Sequence, residues 1–328
     1  MIDIADVEAA AKRIQEHVRR TPLVHSASLS EQLGTQVHLK LELLQKTGSF
    51  KPRGAFNQML QLDAAARQRG VVAVSGGNFA QGAAYAGRVL GIPCVICMPQ
   101  YTPANYVEAT RAYGAEVELH ADMPACFARV RALQDEGRTA LHAWDKPEQM
   151  AGNGVIGLEL LEQLPQISDL IVSVGGGGLL AGLIVALKAR APQVRIWAVE
   201  TEDAPTLGAA LRAGTVVQIV PSSLAKTLGA PYLAADALTL AQQHLQDYVA
   251  VSDQEAIADQ RWLLERCKLL TELAAACTLS AARRLRGRFG ADDRVVLLLC
   301  GGNESLANLM HYAKLPTAAP TPGQIGTA

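Results

Sequence analysis

LIVSVGGGGLLAGLIVALKAR, residues 170–190, runs from a β-branched stretch through four glycines into a helix-like stretch of small and aliphatic residues. Glycines let the backbone approach a ligand, while the unpaired N–H groups and positive end of the helix that follows face it. Gly175, Gly176, Gly177 and Gly178 therefore read as an anion site. A second loop of the same build lies in VVAVSGGNFAQGAAYAGRVLG, residues 71–91, with Val71–Ser75 as strand, Ser75–Asn78 as turn and an Ala/Gly-rich helix after it. The plainer reading of either loop is a tight strand-to-helix turn. Gly176-x-Gly178-x-x-Ala181 also fits a dinucleotide fingerprint, with Glu200 ending the next strand where a ribose-binding acid would stand. A nicotinamide-dependent oxidoreductase is the alternative this motif keeps open, although it leaves the second anion loop unexplained.

Outward from these loops, short β-branched runs alternate with helix-like stretches: VHLKLE (37–42), VVAVS (71–75), PCVICMP (93–99), EVELH (116–120), TALHA (139–143), LIVSV (170–174), RIWAVE (195–200), YVAVS (248–252) and RVVLLLC (294–300). Such alternation predicts βαβ units and largely parallel sheets. Nine runs exceed one mononucleotide-binding unit and group around the two glycine loops, which predicts an α/β protein of two layers sharing a cleft. There is no repeat of 20–50 residues, and the tail PTAAPTPGQIGTA, 316–328, is expected to be disordered.

Composition narrows the function. The 328 residues are 49 % hydrophobic, ample for packed cores, and the 30 basic against 31 acidic side chains leave a formal charge of −1. No global field draws the chain to nucleic acid or an anionic membrane. The six cysteines lie in apolar runs, as reduced thiols of a cytoplasmic protein do. The N-terminal MIDIADVEAAAKRIQEH lacks the n-region and cleavage site of a signal peptide, and no apolar run approaches the ~20 residues of a membrane span. Cys94-x-x-Cys97 has no second pair for zinc, and a strand sends i and i+3 to opposite faces. No histidine spacing makes a metal motif, and Arg283, Arg284, Arg286 and Arg288 read as a solvated helix end.

In LKLELLQKTGSFKPRGAFNQ, residues 39–58, Lys51 follows a Gly-Ser turn and precedes Pro52, which disfavours an α conformation at Lys51 and suits the first position of a helix. An amine at a helix start feels its positive end, which favours the neutral, nucleophilic form that Schiff-base chemistry needs. Most Lys-Pro pairs are ordinary surface residues, but Phe50 and Ala55 beside this one favour burial.

These residues match a known family. Thr47-Gly48-Ser49-Phe50-Lys51-x-Arg53-Gly54-Ala55, Ser75-x-Gly77-Asn78-x-Ala80-Gln81-Gly82, the loop Gly175–Gly178 and Cys300-Gly301-Gly302-Asn303 closely resemble the threonine/serine dehydratase branch of the fold type II pyridoxal-phosphate enzymes. Arg20-Thr21-Pro22-Leu23 and Ala151-Gly152-x-Gly154-x-Ile156-Gly157-Leu158-Glu159 resemble it too, so the match covers about residues 15–312. The resemblance implies two open, twisted, mostly parallel α/β domains with pyridoxal 5'-phosphate in the cleft between them. Residues 1–50 and 147–315 would form the larger, cofactor-binding domain and 51–146 the smaller. Lys51 would carry the cofactor and then take the Cα proton, flanked by Phe50. Gly175–Gly178 with Leu179 would bind the phosphate, Asn78 the ring hydroxyl, and Cys300 would face the pyridine nitrogen. A thiol is a weak acid partner, so the ring is not forced into its protonated form. Ser75, Gly76, Gly77, Asn78 and Phe79 would receive the substrate carboxylate.

The implied reaction is loss of water and ammonia from a β-hydroxy amino acid, in a homodimer or homotetramer. Departures from the family bear on substrate: Phe79 stands where histidine is common, and Ser222–Pro231 replaces an acidic, Asp-Gly-containing run. L-threonine, L-serine, a phenylserine and 3-hydroxyaspartate all stand as candidates. Some relatives bind a divalent or monovalent cation at positions matching Glu200 and the Ala204 carbonyl, but Thr206 replaces the second carboxylate. The chain stops where longer relatives add a regulatory domain, so end-product control through one is not expected. β-Replacement is disfavoured, because cysteine-forming synthases carry an Asn-Pro-x-x-Ser-x-Lys-Asp-Arg segment and threonines in the phosphate loop. Racemisation is disfavoured because Gly76, where racemases of this branch have serine, carries no proton.

Overall fold

A computed structural model describes residues 1–316, and the tail expected to be disordered lies outside the described residues beyond Pro316. Ten strands are present: β1 (Leu23–His25), β2 (Gln36–Leu41), β3 (Val71–Val74), β4 (Cys94–Pro99), β5 (Glu116–His120), β6 (Thr139–Ala140), β7 (Asp169–Ser173), β8 (Arg195–Thr201), β9 (Leu245–Val251) and β10 (Arg294–Leu299). They form a six-stranded sheet, β1-β2-β10-β7-β8-β9, and a four-stranded one, β5-β4-β3-β6. All pairings are parallel except β1 with β2. The nine sequence runs each become a strand. The tenth, β1, is three residues at a sheet edge with two of them exposed, too short to leave a period.

β7 and most of β10 are buried on both faces, which is why they read as unbroken apolar runs rather than alternating ones. Helices Pro147–Gln163 and Gly178–Arg190 cover the large sheet and meet through small residues. A Cβ on Gly154 would stand 2.7 Å from the Gly182 carbonyl, so neither helix tolerates a larger side chain there. Cys94 and Cys97 do point to opposite sides of the small sheet, into separate apolar clusters.

The C-terminal ends of β3, β7 and β10 deliver the Ser75 loop, the Gly175 loop and Cys300, in the crevice where open α/β sheets bind ligands. The lysine segment is tied to β10 by Phe50 N–H donating to the Cys300 carbonyl at 3.1 Å and by a bridge between Ser49 and Gly301. Two expectations need correction. Lys51 is α-helical (φ −55°, ψ −33°) despite Pro52. The pre-proline penalty is overridden by the bond to β10 and by Arg53, whose buried guanidinium pairs with Glu42 and Glu159. Arg283 and Arg284 are not merely solvated: they pair with Asp259 at 2.7 Å and Glu255 at 2.6 Å.

Candidate active site

Lys51 lies behind the rings of Phe50 and Phe79, whose centroids are 4.9 and 5.9 Å from Nζ, and donates to the Ala143 carbonyl at 2.8 Å. Burial pushes its amine down to about 8, with Cys300 and Glu272 opposing the shift. The sequence reading credits the helix end, whereas desolvation is the larger cause. An amine of this kind is substantially neutral near pH 8 and therefore nucleophilic.

Asn78 opens helix Asn78–Leu90, and its side chain is fixed on both sides. Its Nδ2 donates to Glu272 Oε1 and Oε2 at 2.9 and 3.0 Å, while its Oδ1 accepts from Asn303 Nδ2 at 2.8 Å. Asn303 also donates to the Thr47 carbonyl, just ahead of the lysine. Glu272, missed in the sequence, stands at the start of helix Leu273–Arg284 with its carboxylate turned to Asn78, and burial raises its carboxyl to about 7. Its one sequence signal is an acid heading the apolar run LAAACTLSAA.

Ser75 Oγ accepts from Gly77 N–H at 3.3 Å and Ala80 N–H at 3.2 Å, while the N–H groups of Asn78 and Phe79 belong to the unpaired first turn of the helix. Opposite them, Gly175–Gly178 leads into helix Gly178–Arg190, with Gly177 left-handed at φ +86°. Trp144 lies against this loop so closely that a Cβ on Gly176 would stand 2.2 Å from its ring. Trp144 in turn packs on His142 and Tyr232, with centroids 4.7 and 5.4 Å away. None of these three aromatics carried a sequence signal.

Cys300 is buried 3.5 Å from Ser173 Oγ, and burial with the Glu272 charge pushes its thiol up to about 12, so it is neutral. Glu200 is buried elsewhere and caps helix Thr206–Ala213 by accepting from Leu207 and Gly208 N–H at 2.9 to 3.1 Å. The Ala204 carbonyl accepts from Thr206 N–H. Both positions expected for a cation thus already accept helix-end hydrogen bonds. Cys97, Glu118 and His120 come together on β4 and β5 although no motif announced them, but both Glu118 oxygens already pair with Arg129.

A family model described as "Pyridoxal-phosphate dependent enzyme" matches residues 14–301. The chain belongs to that family. It is 37 % identical to an L-threonine ammonia-lyase of Thermotoga maritima, covering 92 % of this chain and 76 % of that one. It is 36 % identical to an L-threo-3-hydroxyaspartate ammonia-lyase of a Pseudomonas species, over 94 % and 97 %. A solved threonine deaminase from T.th. superposes with a TM-score of 0.86 at 36 % identity, over 93 % and 99 %.

The residues fit the family's cofactor. The four-glycine loop at a helix start has backbone N–H groups to offer a phosphate, and the desolvated Lys51 amine would suit the aldehyde carbon. The dinucleotide alternative falls with this match, and Glu200 buried as a helix cap offers no carboxylate to a ribose. Gly176→Ala is expected to weaken pyridoxal-phosphate binding to the apoenzyme by about 1–3 kcal/mol, since its Cβ forces Trp144 off the loop. An absorbance titration of apoenzyme checks this; unchanged affinity would mean that Trp144 yields freely.

Proposed function

We propose that this pyridoxal-phosphate dependent enzyme eliminates the β-hydroxyl of a β-hydroxy-α-amino acid such as L-threonine or L-serine, releasing a 2-oxo acid and ammonia. The observation that carries this is a desolvated Lys51 amine, its pKa lowered to about 8, set between two loops of N–H groups, one suited to a phosphate and one to a carboxylate. Lys51 Nζ takes the Cα proton, and the Ala143 carbonyl beside it orients the amine. The Ser75–Phe79 loop would hold the substrate carboxylate, and Asn78, locked by Glu272 and Asn303, would hold the cofactor ring hydroxyl. When bound, the cofactor supplies the electron sink for the Cα pair. Cys300, kept neutral by burial, would face the ring nitrogen without giving it a full proton, which would favour expulsion of the β-group.

Residues 1–50 and 147–315 serve as the cofactor domain and 51–146 as the carboxylate domain in this reading, and no cation enters it. The five buried thiols and free Cys267 suit a reducing cytoplasm, and no helix among the described residues is long and apolar enough to cross a membrane. Sedimentation is expected to give a homodimer or homotetramer. The purified enzyme should be yellow, lose that colour with borohydride, and deaminate L-threonine or L-serine. Faster sulfide-dependent formation of cysteine from O-acetylserine would replace elimination with β-replacement.

Racemisation should be negligible, because Gly76 offers no proton on the face away from Lys51. A Cβ on Gly76 would crowd Thr102 Oγ1 at 2.8 Å, so a side chain there has to turn that buried, unpartnered hydroxyl aside. Gly76→Ser is therefore expected to place its hydroxyl beside Thr102 and raise D-serine formation from L-serine. Chiral chromatography in deuterated water reads this, and D-serine keeping pace with pyruvate in the wild type would defeat the reasoning.

A further inference from the structure

Given a β-hydroxy amino acid as substrate, which is the reading proposed above, we infer that Trp144 forms the wall against the substrate's β-substituent and that this wall selects an uncharged one, excluding a second carboxylate. The Ala143 carbonyl that receives Lys51 Nζ at 2.8 Å is the residue between His142 and Trp144, so this segment passes directly beside the reactive amine. The Trp144 indole packs on Gly176 and its backbone on Gly178, so the segment runs from the reactive amine to the edge of the glycine loop. With Cα at the lysine, a substrate directs Cβ and the substituent on it toward this segment.

The indole is held, not mobile. His142 packs edge-on at 4.7 Å and Tyr232 at 5.4 Å, and the Tyr232 hydroxyl meets His142 Nε2 at 3.3 Å. His142 accepts from Trp144 and Asp145 N–H through Nδ1, and burial lowers its pKa, so it adds no positive charge. The surrounding charges point the same way. Lys146 donates its amine to the Ala140 carbonyl at 2.7 Å, and Arg53 is consumed by Glu42 and Glu159. Glu272 is a buried acid that faces Lys51 and Asn78. A β-carboxylate would enter beside the buried acid Glu272, where Trp144 Nε1 is a neutral donor without a partner. A methyl or phenyl group loses nothing there and gains apolar contact.

The test is kcat/KM of the holoenzyme for L-threonine, L-threo-phenylserine and L-threo-3-hydroxyaspartate, in wild type, Trp144→Ala and Trp144→Phe. Wild type is expected to handle 3-hydroxyaspartate at least about 100-fold less well than L-threonine, the scale of an unpaired buried charge. Trp144→Ala should raise the phenylserine-to-threonine ratio about tenfold by opening the wall, and Trp144→Phe should keep the discrimination against 3-hydroxyaspartate. The ratio between substrates is unmoved by a general loss of folded enzyme, so a merely structural role for Trp144 predicts no change in it. A wild type that prefers 3-hydroxyaspartate, or a Trp144→Ala ratio equal to wild type, overturns the inference and leaves elimination standing. If no hydroxy amino acid is deaminated or alters the bound cofactor's absorbance, the elimination reading fails and the inference with it.

Discussion

Lys51→Ala is expected to lose at least about 1,000-fold in deamination rate, because in the proposed reading one side chain would both hold the cofactor and move the Cα proton. The variant should also shed its yellow colour on dialysis, where the wild type keeps it until borohydride is added. Burial sets a second signature on the same amine. With its pKa lowered to about 8 rather than the usual 10.5, the neutral fraction rises about tenfold per pH unit below that value and levels above it. The rate at which apoenzyme takes up pyridoxal phosphate should follow that curve, rising from pH 6 and flattening past about 8. A rate still climbing steeply at pH 9.5 would place the amine in water, and wild-type deamination by Lys51→Ala would remove it from the chemistry altogether.

Arg53→Met is expected to destabilise the fold by about 3–5 kcal/mol, read as a lower urea midpoint at unchanged slope. Arg53 forks onto Glu42 through Nε and Nη2, both at 2.8 Å, and onto Glu159 through Nη1 and Nη2 at 2.7 and 3.0 Å. Lys40 completes the group by donating to Glu159 at 2.6 Å and to the Thr21 carbonyl at 3.0 Å. Two acids face two cations with almost no water, so removing the guanidinium leaves two buried carboxylates to share one ammonium. Because helix Pro52–Met59 hangs from this group, cofactor affinity should fall as well. A loss under about 1 kcal/mol would show that water enters and screens the acids.

What was legible in the sequence is what is local. Alternating β-branched runs announced nine strands, and the two glycine loops stood out because each places strand, turn and helix within some twenty residues. The site's other half is assembled by crossovers. Glu272 reaches Asn78 from 194 positions away, Asn303 from 225, and Tyr232 reaches His142 from 90. Each sits in an ordinary stretch, so no period or motif marks it. Lys51 shows the same limit from the other side: its local pre-proline preference was readable, but the strand bond and ion pairs that override it were not. Glu200 stands out twice, for a ribose and for a cation, because a sequence cannot show that an acid is spent on the N–H groups of the helix that follows.

The order of strands in the large sheet also dictates when the enzyme becomes an enzyme. β10, the last strand, is inserted in mid-sheet between β2 and β7. During synthesis, Lys51, Asn78 and the glycine loop leave the ribosome well before the strand that carries Cys300, and until it docks, β2 and β7 each present an open edge. The nascent chain therefore passes through a long stage with two adhesive edges and no place to seat its cofactor. For this fold the aggregation hazard of exposed strand edges is therefore greatest before the final strand docks.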